Sequence, residues 1–171
     1  MLNNNFWRVL QQNFIGKVVT GSIKTPNGAN AQINNAAGTF VPYFNDGSYA
    51  VQLSTVLKNY GKQGVVFGDG DTPPTLGDYK LSGNIITALS AVANVARSIE
   101  GGVAKAVAVY MLMNNSNEDV TIREIGAIAC YNTSSGYLVD RTVLNTPVTI
   151  PAGGVGQVEY TITFNLPTAT A

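Results

Sequence analysis

The clearest strand pattern in the chain is "VEYTITF", Val158 to Phe164. Every second side chain in it is large and apolar, and the positions between carry Glu or Thr. Successive side chains of an extended strand point to opposite faces, so this alternation predicts an antiparallel strand with one core face and one wet face. The two predicted faces are Val158, Tyr160, Ile162 and Phe164 on one side, and Gln157, Glu159, Thr161 and Thr163 on the other.

The segments before this strand have the same character. Residues 95–113 predict a hairpin that turns at Glu100-Gly101-Gly102, and the polar run 114–119 separates it from further short strands up to residue 150. Residues 84–99 stay open between strand and helix, because their alanines also suit a helix. Short strands divided by Gly, Pro and Asn turns indicate a mainly β protein. We expect an antiparallel β-sandwich, Ig-like or jelly-roll-like, with a short N-terminal helix.

That helix is predicted over residues 3–14, where large apolar side chains recur every four positions. A helix this short is marginal alone and must dock on something. It either covers its own domain or forms an arm on a neighbouring subunit, and both interpretations stay open. We therefore expect a helical arm at 1–16 and one sandwich domain at 17–171. The interface candidates on the arm are Phe6, Trp7, Leu10 and Phe14.

Residues 17–61 are less clearly patterned. Strands are predicted at 17–25 and 39–44, with turns at Pro26-Asn27-Gly28 and Asn45-Asp46-Gly47. Residues 51–61 fit a strand or a short helix equally well.

The charge content restricts the function classes. Ten basic and ten acidic residues make up only 12% of the 171 residues, against about 25% in typical soluble domains. Net charge near zero favours association, so we expect homo-oligomers or a surface covered by other subunits. Basic residues are scattered singly, which argues against nucleic-acid binding, and no apolar run is long enough for a membrane span. The first residues lack the pattern of a signal peptide, so synthesis in a cytoplasm without export is expected.

Histidine is absent, which removes the common general base and the favourite metal ligand. The single cysteine, Cys130, lies between apolar neighbours and is interpreted as a buried, inert thiol. We therefore expect no enzymatic activity, no catalytic residues and no cofactor.

One acidic loop offers other chemistry: "FGDGDTPPTLGDYKL", residues 67–81, which holds Asp69, Asp71 and Asp78. Asp69 and Asp71 have the first two ligand spacings of a calcium loop. Thr72-Pro73-Pro74 then replaces the third ligand and the glycine turn, and no glutamate closes the site. We therefore expect no metal here and interpret the loop as a connection stiffened by its prolines.

Two further charges form a structural hypothesis. Arg123 and Glu124 are adjacent on a predicted strand and so point to opposite faces. If Glu124 points inward it needs a partner, because an isolated buried charge is very costly. Arg141, on the neighbouring strand, is the expected partner; the alternative is two solvated charges.

The order of these segments resembles that of small structural proteins of tailed bacteriophages and prophages. The likeness covers about residues 65–166. It includes a glycine-rich loop before an Asp-Tyr pair, a T-I-x-E-I-G strand, an R-T-V-L-x-x-P-V-T-I-x-x-G segment and a final Y-T-I-T-F strand. The matching residues are Gly68, Gly70, Asp78, Tyr79, Thr121, Ile122, Glu124, Ile125, Gly126, Arg141 to Leu144, Pro147 to Ile150, Gly153 and Tyr160 to Phe164.

The resemblance implies a virion component with an Ig-like sandwich, present in repeated copies: a head decoration, neck, tail or fibre-base protein. Its partners would be itself and other virion proteins, with no nucleic acid and no membrane. It would be made in the host bacterial cytoplasm and located in the virion. The alternative is a carbohydrate-binding or adhesive β-sandwich module, whose exposed aromatic side chains would have to be Tyr43, Phe44, Tyr49 and Tyr60.

Overall fold

The computed structural model describes residues 1–6, 23–31, 64–132 and 135–165. It is mainly β, with two antiparallel sheets in a sandwich-like arrangement and a short N-terminal helix, so the predicted fold class is confirmed. The strands are β1 (Ile23–Lys24), β2 (Asn30–Ala31), β3 (Gly64–Gly68), β4 (Leu89–Glu100), β5 (Val103–Asn114), β6 (Val120–Asn132), β7 (Ser135–Ile150) and β8 (Val155–Asn165).

Strands β3, β6 and β7 form the first sheet, in the order β3-β6-β7, and β4, β5 and β8 form the second, in the order β4-β5-β8. All neighbours pair antiparallel. β1 and β2 form a separate two-stranded hairpin around the predicted Pro26-Asn27-Gly28 turn, where Gly28 has a φ of 82°. Each sheet thus has a central strand, β6 in the first and β5 in the second.

The β4–β5 hairpin turns at Gly101 and Gly102, with φ values of 56° and 78° that glycine adopts without strain. This is the predicted turn. The open question over residues 84–99 is answered in favour of a strand from Leu89 onward, since every residue from Leu89 to Glu100 pairs with β5. Long-range pairing overrides the helix preference of the alanines.

The core lies between the two sheets. The Phe67 ring on β3 meets the Tyr110 ring on β5 edge-on, with centroids 5.8 Å apart and planes at 84°. The alternation predicted for β8 is confirmed where its side chains are described, because Val158, Tyr160 and Ile162 are all buried.

The other face of the first sheet is covered by the connection between β3 and β4. Leu81 of that connection is buried over Gly68 and Gly126. A Cβ atom built on Gly126 would lie 2.7 Å from Leu138 Cδ1 and 2.8 Å from Leu81 Cδ2, closer than such atoms normally approach. Glycine on the strands therefore lets the connection lie directly on the sheet.

The N-terminal residues extend the first sheet along the free edge of β7. Leu2 forms an antiparallel bridge with Asp140, and the Asn3 amide donates to the Val139 carbonyl at 3.0 Å. Residues 4–6 form a helical turn, and Phe6 is buried in the core. No helix in the described ranges is long and apolar enough to cross a membrane.

Several sequence predictions fall outside the described residues. They are the rest of the predicted helix with Trp7, Leu10 and Phe14, the domain boundary at residue 16, the strand and turn at 39–47, and the segment 51–61. The side chain of Cys130 is also outside this description, although its backbone pairs with Gly136 in the β6–β7 ladder.

Candidate functional site

The most highly organised polar site is a cluster of three charged side chains, Arg141, Glu124 and Asp78, which we call the Arg141 cluster. Glu124 lies on β6 and Arg141 on β7, while Asp78 comes from the connection that covers the first sheet. Arg141 is the register partner of Gly126, two residues from Glu124, so the two charged side chains share a face.

The position of Glu124 depends on an irregularity in the sheet. The pairing of β6 with β7 shifts between Ile122 and Glu124, as in a β-bulge. Arg123 is exposed, while Ile122, Glu124 and Ile125 are buried. Glu124 therefore points into the layer between the sheet and the connection, where its side chain is 0% exposed.

Arg141 uses its fork of N–H groups on four acceptors. Nη1 donates to Glu124 Oε2 at 2.6 Å and Nε donates to Asp78 Oδ2 at 2.7 Å. Nη2 donates to the carbonyls of Thr72 at 2.8 Å and Pro73 at 3.0 Å. The structure thus brings Glu124 and Arg141 together, and it adds two contacts to the loop backbone that a lysine could not reproduce.

Glu124 is itself saturated with donors. Oε1 accepts the Gly83 amide at 2.8 Å, and Oε2 accepts the amide and hydroxyl of Ser82, each at 3.1 Å, in addition to Arg141. Two carboxylates and one guanidinium leave one excess negative charge, which these amide dipoles offset. Both oxygens of a fully buried carboxylate are occupied, so Glu124 presents no free oxygen to a substrate.

The pKa values follow from this balance. Burial alone would raise the pKa of Glu124, but hydrogen bonds from the Gly83 and Ser82 amides and from Arg141 outweigh it and hold the pKa below its usual value. Burial also acts against the ionised form of Asp78, and bonds from Thr75 and Arg141 again lower the net pKa. The two carboxylates in turn raise the pKa of the Arg141 guanidinium, despite its burial.

The three loop aspartates have separate roles. Asp69 accepts the Asn84 amide at 2.6 Å and the Asn84 side chain at 3.2 Å, and Asp71 is exposed. Asp78 accepts the Thr75 amide and hydroxyl, each at 2.8 Å, besides Arg141. Over the ranges that the structure describes, no group of three or more His, Cys, Asp or Glu side chains is placed to hold a metal ion.

The N-terminal residues connect to the same loop. The Asn3 side chain is 0% exposed and donates to the carbonyls of Asp78 and Leu138, both at 2.8 Å. The Asn4 amide donates to the Leu76 carbonyl at 2.8 Å. The loop is therefore held from two sides, by the Arg141 cluster and by residues 3–4. The contacts of residues 3–4 with the loop were not predicted from the sequence.

A second buried polar contact joins the two sheets. Tyr160 on β8 donates its hydroxyl to Asp140 Oδ2 on β7, and the amino group of Met1 lies 2.8 Å from Asp140 Oδ1. Burial first, and then the nearby Asp140 carboxylate, raise the pKa of Tyr160. Sequence reasoning placed Tyr160 on the core face but gave no signal for its partner, because the contact spans two sheets.

A third polar centre holds the loops at one end of the sandwich. Asn114, at the end of β5, is 1% exposed. Its Nδ2 donates to the carbonyls of Glu118 at 2.8 Å, Ile150 at 3.1 Å and Pro151 at 3.1 Å, while Oδ1 accepts the Ser116 amide at 3.0 Å. Beside it lies an open cleft of ≈ 470 Å³, lined by Met113, Asn114, Asn115, Ser116, Asn117, Ala152 and Gly153.

The remaining predicted site residues are placed as follows. Phe6, an interface candidate, is 2% exposed and packs in the core of its own chain. Trp7, Leu10 and Phe14 are not among the described residues, and the same holds for the aromatic candidates of the carbohydrate-binding alternative, Tyr43, Phe44, Tyr49 and Tyr60.

The chain has no match among family models, curated proteins or solved structures.

Proposed function

We propose that this protein is a non-enzymatic structural component of a tailed-phage virion. It acts by associating with copies of itself and by packing on other virion proteins. It would be made in the host bacterial cytoplasm and incorporated into the particle as a head decoration, neck, tail or fibre-base protein.

The observation that carries the proposal concerns the residues behind the phage-like resemblance. Asp78, Glu124 and Arg141 all belong to that pattern, and together they form the Arg141 cluster. The charged residues of the pattern hold a loop on a sheet and leave no carboxylate oxygen of Glu124 free. These charged residues thus have a structural rather than a catalytic role, which is what a protein packed in a particle requires.

The low charge content of the chain and its exposed apolar side chains support the same proposal. Ten positive and ten negative charges in 171 residues give no electrostatic barrier between copies. Large apolar side chains remain exposed on the second sheet, including Val92 at 61% and Val155 at 70%. Such exposure fits a surface that is covered in an assembly.

The test is a stop codon introduced early in the gene of the phage or prophage that encodes the chain. We expect particles that stop at one assembly stage or lack one component in electron micrographs, and a large fall in plaque number. A plasmid copy of the wild-type gene should restore both. Normal particles and normal plating from the mutant would overturn the proposal; specific binding of the purified chain to a glycan array would then favour the carbohydrate-binding alternative.

A further inference from the structure

The outward face of the second sheet is apolar along its central strand, β5. The outward side chains there are Val103, Lys105, Val107, Val109, Met111 and Met113, and only Lys105 is polar. Met111 is 50% exposed and Met113 is 47% exposed. The opposite face of β5 is also apolar, with Ala108, Tyr110 and Leu112 in the core. A strand that is apolar on both faces is typical of one covered on both sides.

The flanking strands complete the surface. In the register, Val92 on β4 lies beside Met111, and Val155 on β8 lies beside Met113. Two of the other outward positions, Glu100 on β4 and Glu159 on β8, are charged. The rest are uncharged: Ser90, Asn94, Ala96 and Ser98 on β4, and Gln157, Thr161, Thr163 and Asn165 on β8. We call this whole surface the β5 face.

We propose that the β5 face is the surface through which two copies of this chain pair, sheet against sheet. The inference rests on the proposed function, since it names the self-association surface that the function requires. Three properties of the face favour a second copy as its occupant: its symmetry, its charge and its area.

The face is nearly symmetric about its central strand. The column along β5 is apolar except for Lys105, and most of the side chains that flank it are hydroxyls or amides, which can donate and accept hydrogen bonds. A two-fold rotation can therefore place the β5 column of one copy on that of the other, as a self-complementary interface requires. Methionine at two central positions adapts readily to a facing surface.

The few charges are also compatible with self-pairing. Lys105 lies two residues from Val107 along β5, while Glu159 on β8 is the register partner of Val109, two residues away in the other direction. A two-fold axis that crosses the strands at Val107 exchanges these two rows. It brings Lys105 of each copy opposite the row of Val109 and Glu159 of the other, so these opposite charges lie near each other. Glu100 lies in the outermost row, beside Val103.

The area is sufficient for a specific contact. Three strands at about 4.8 Å spacing and twelve residues at about 3.3 Å rise give a face of roughly 14 by 40 Å, or about 560 Å² per copy. Two copies bury about 1,100 Å² together, just above the approximate 1,000 Å² expected of a biological interface. We therefore expect a reversible dimer rather than an obligate one.

The test uses sedimentation equilibrium of the purified full chain and two variants. Met111→Glu puts a charge on the central strand of the β5 face, and Leu76→Glu is the matched control, since Leu76 is 52% exposed but lies on the connection that covers the other sheet. We expect wild type and Leu76→Glu to dimerise with similar dissociation constants, and Met111→Glu to dissociate at least about 100-fold more readily. At a protein concentration low enough that all three proteins are monomeric, their melting temperatures should agree, because both side chains are exposed in the monomer.

The outcomes separate the inference from the proposed function. A wild-type oligomer that Met111→Glu leaves intact would overturn the β5 face as the contact, while self-association itself would stand. A wild type that stays monomeric at high concentration would overturn the dimer. A monomeric wild type whose melting temperature falls sharply with Met111→Glu, but not with Leu76→Glu, would also overturn it, and would mean that the same chain covers the face.

Discussion

At the scale of single residues, Arg141 makes the most important polar contacts of the first sheet. It joins two strands of the first sheet to the loop that covers them, which Glu124 and residues 3–4 also hold. Its guanidinium is 2% exposed and neutralises a carboxylate that is 0% exposed. Removal of one partner of a buried ion pair leaves the other charge uncompensated, which costs far more than the pair contributes in net stability.

We therefore expect Arg141→Ala to lower the free energy of unfolding by about 3–5 kcal/mol. Arg141→Lys should recover only part of this loss, because an ammonium cannot reach Asp78, Glu124 and the Thr72 carbonyl at once. Urea unfolding followed by circular dichroism measures both. Arg123→Ala is the control, since Arg123 is exposed on the same strand as Glu124; equal losses in the Arg123 and Arg141 variants would contradict the account.

The lowered pKa values of Glu124 and Asp78 predict acid sensitivity. A carboxyl whose pKa is lower in the folded state contributes stability above its unfolded pKa, near 4, and loses that contribution as the pH falls through the folded value. The free energy of unfolding should therefore fall steadily below about pH 5. Urea unfolding at several pH values in this range gives the free energy of unfolding as a function of pH. This dependence on pH should be weaker for Glu124→Gln than for wild type, and an unchanged dependence would rule out Glu124 as a source of the acid sensitivity.

Two glycines of one loop provide a test of close packing. A Cβ atom on Gly70 would lie 2.1 Å from Ser82 Oγ and 2.3 Å from the Gly83 amide nitrogen, whereas on Gly77 the nearest atom is 3.8 Å away. We expect Gly70→Ala to cost about 1–3 kcal/mol of stability through overpacking. Gly77→Ala should stay within about 0.5 kcal/mol of wild type, as surface substitutions usually do. Thermal unfolding of the pair measures the difference, and similar melting temperatures would show that the loop does not lie tightly on the sheet.

At the scale of elements, Asn114 links the turn after β5 to the end of β7. Asn114→Asp removes the Nδ2 donor and sets a carboxylate against three carbonyl oxygens. We expect a loss of about 2–4 kcal/mol, because those buried carbonyls lose their donor and face a charge. Asn115→Asp, at an exposed position next to it, is the control and should change little. Chemical unfolding of both variants checks the difference, and equal stability would mean that Asn114 does not hold the two turns.

Strands proved predictable where a local pattern determines them. The alternation of β8 and the Gly101-Gly102 turn are readable because they depend on neighbours in the sequence. The first half of β4 was not, since its alanines suit two structures and only pairing with β5 decides between them. Glu124 and Arg141 could be matched because they lie on adjacent predicted strands. The roles of Asp78 and Asn3 and the Tyr160–Asp140 contact could not be predicted. They depend on how the loop folds back onto the first sheet and on how the two sheets pack, and neither is visible in the local sequence.

At the scale of the whole molecule, the polar interior and the outward surface play different parts. The Arg141 cluster, Asn114 and the Tyr160–Asp140 contact fix the loops and the two sheets, while the β5 face remains apolar and weakly charged. A sandwich with one apolar, weakly charged outward face is compatible with the proposed assembly in repeated copies. The proposed virion function follows from that division together with the phage-like order of sequence motifs.

The most direct measurement is quantitative mass spectrometry of phage particles produced by cells that carry the gene. The particles are purified on a density gradient and compared with the cleared lysate. We expect peptides from this chain to co-purify with the particles in a fixed ratio to the major capsid protein, and we expect this ratio to persist after washing in high salt. Peptides that are abundant in the lysate but absent from the particles would contradict it.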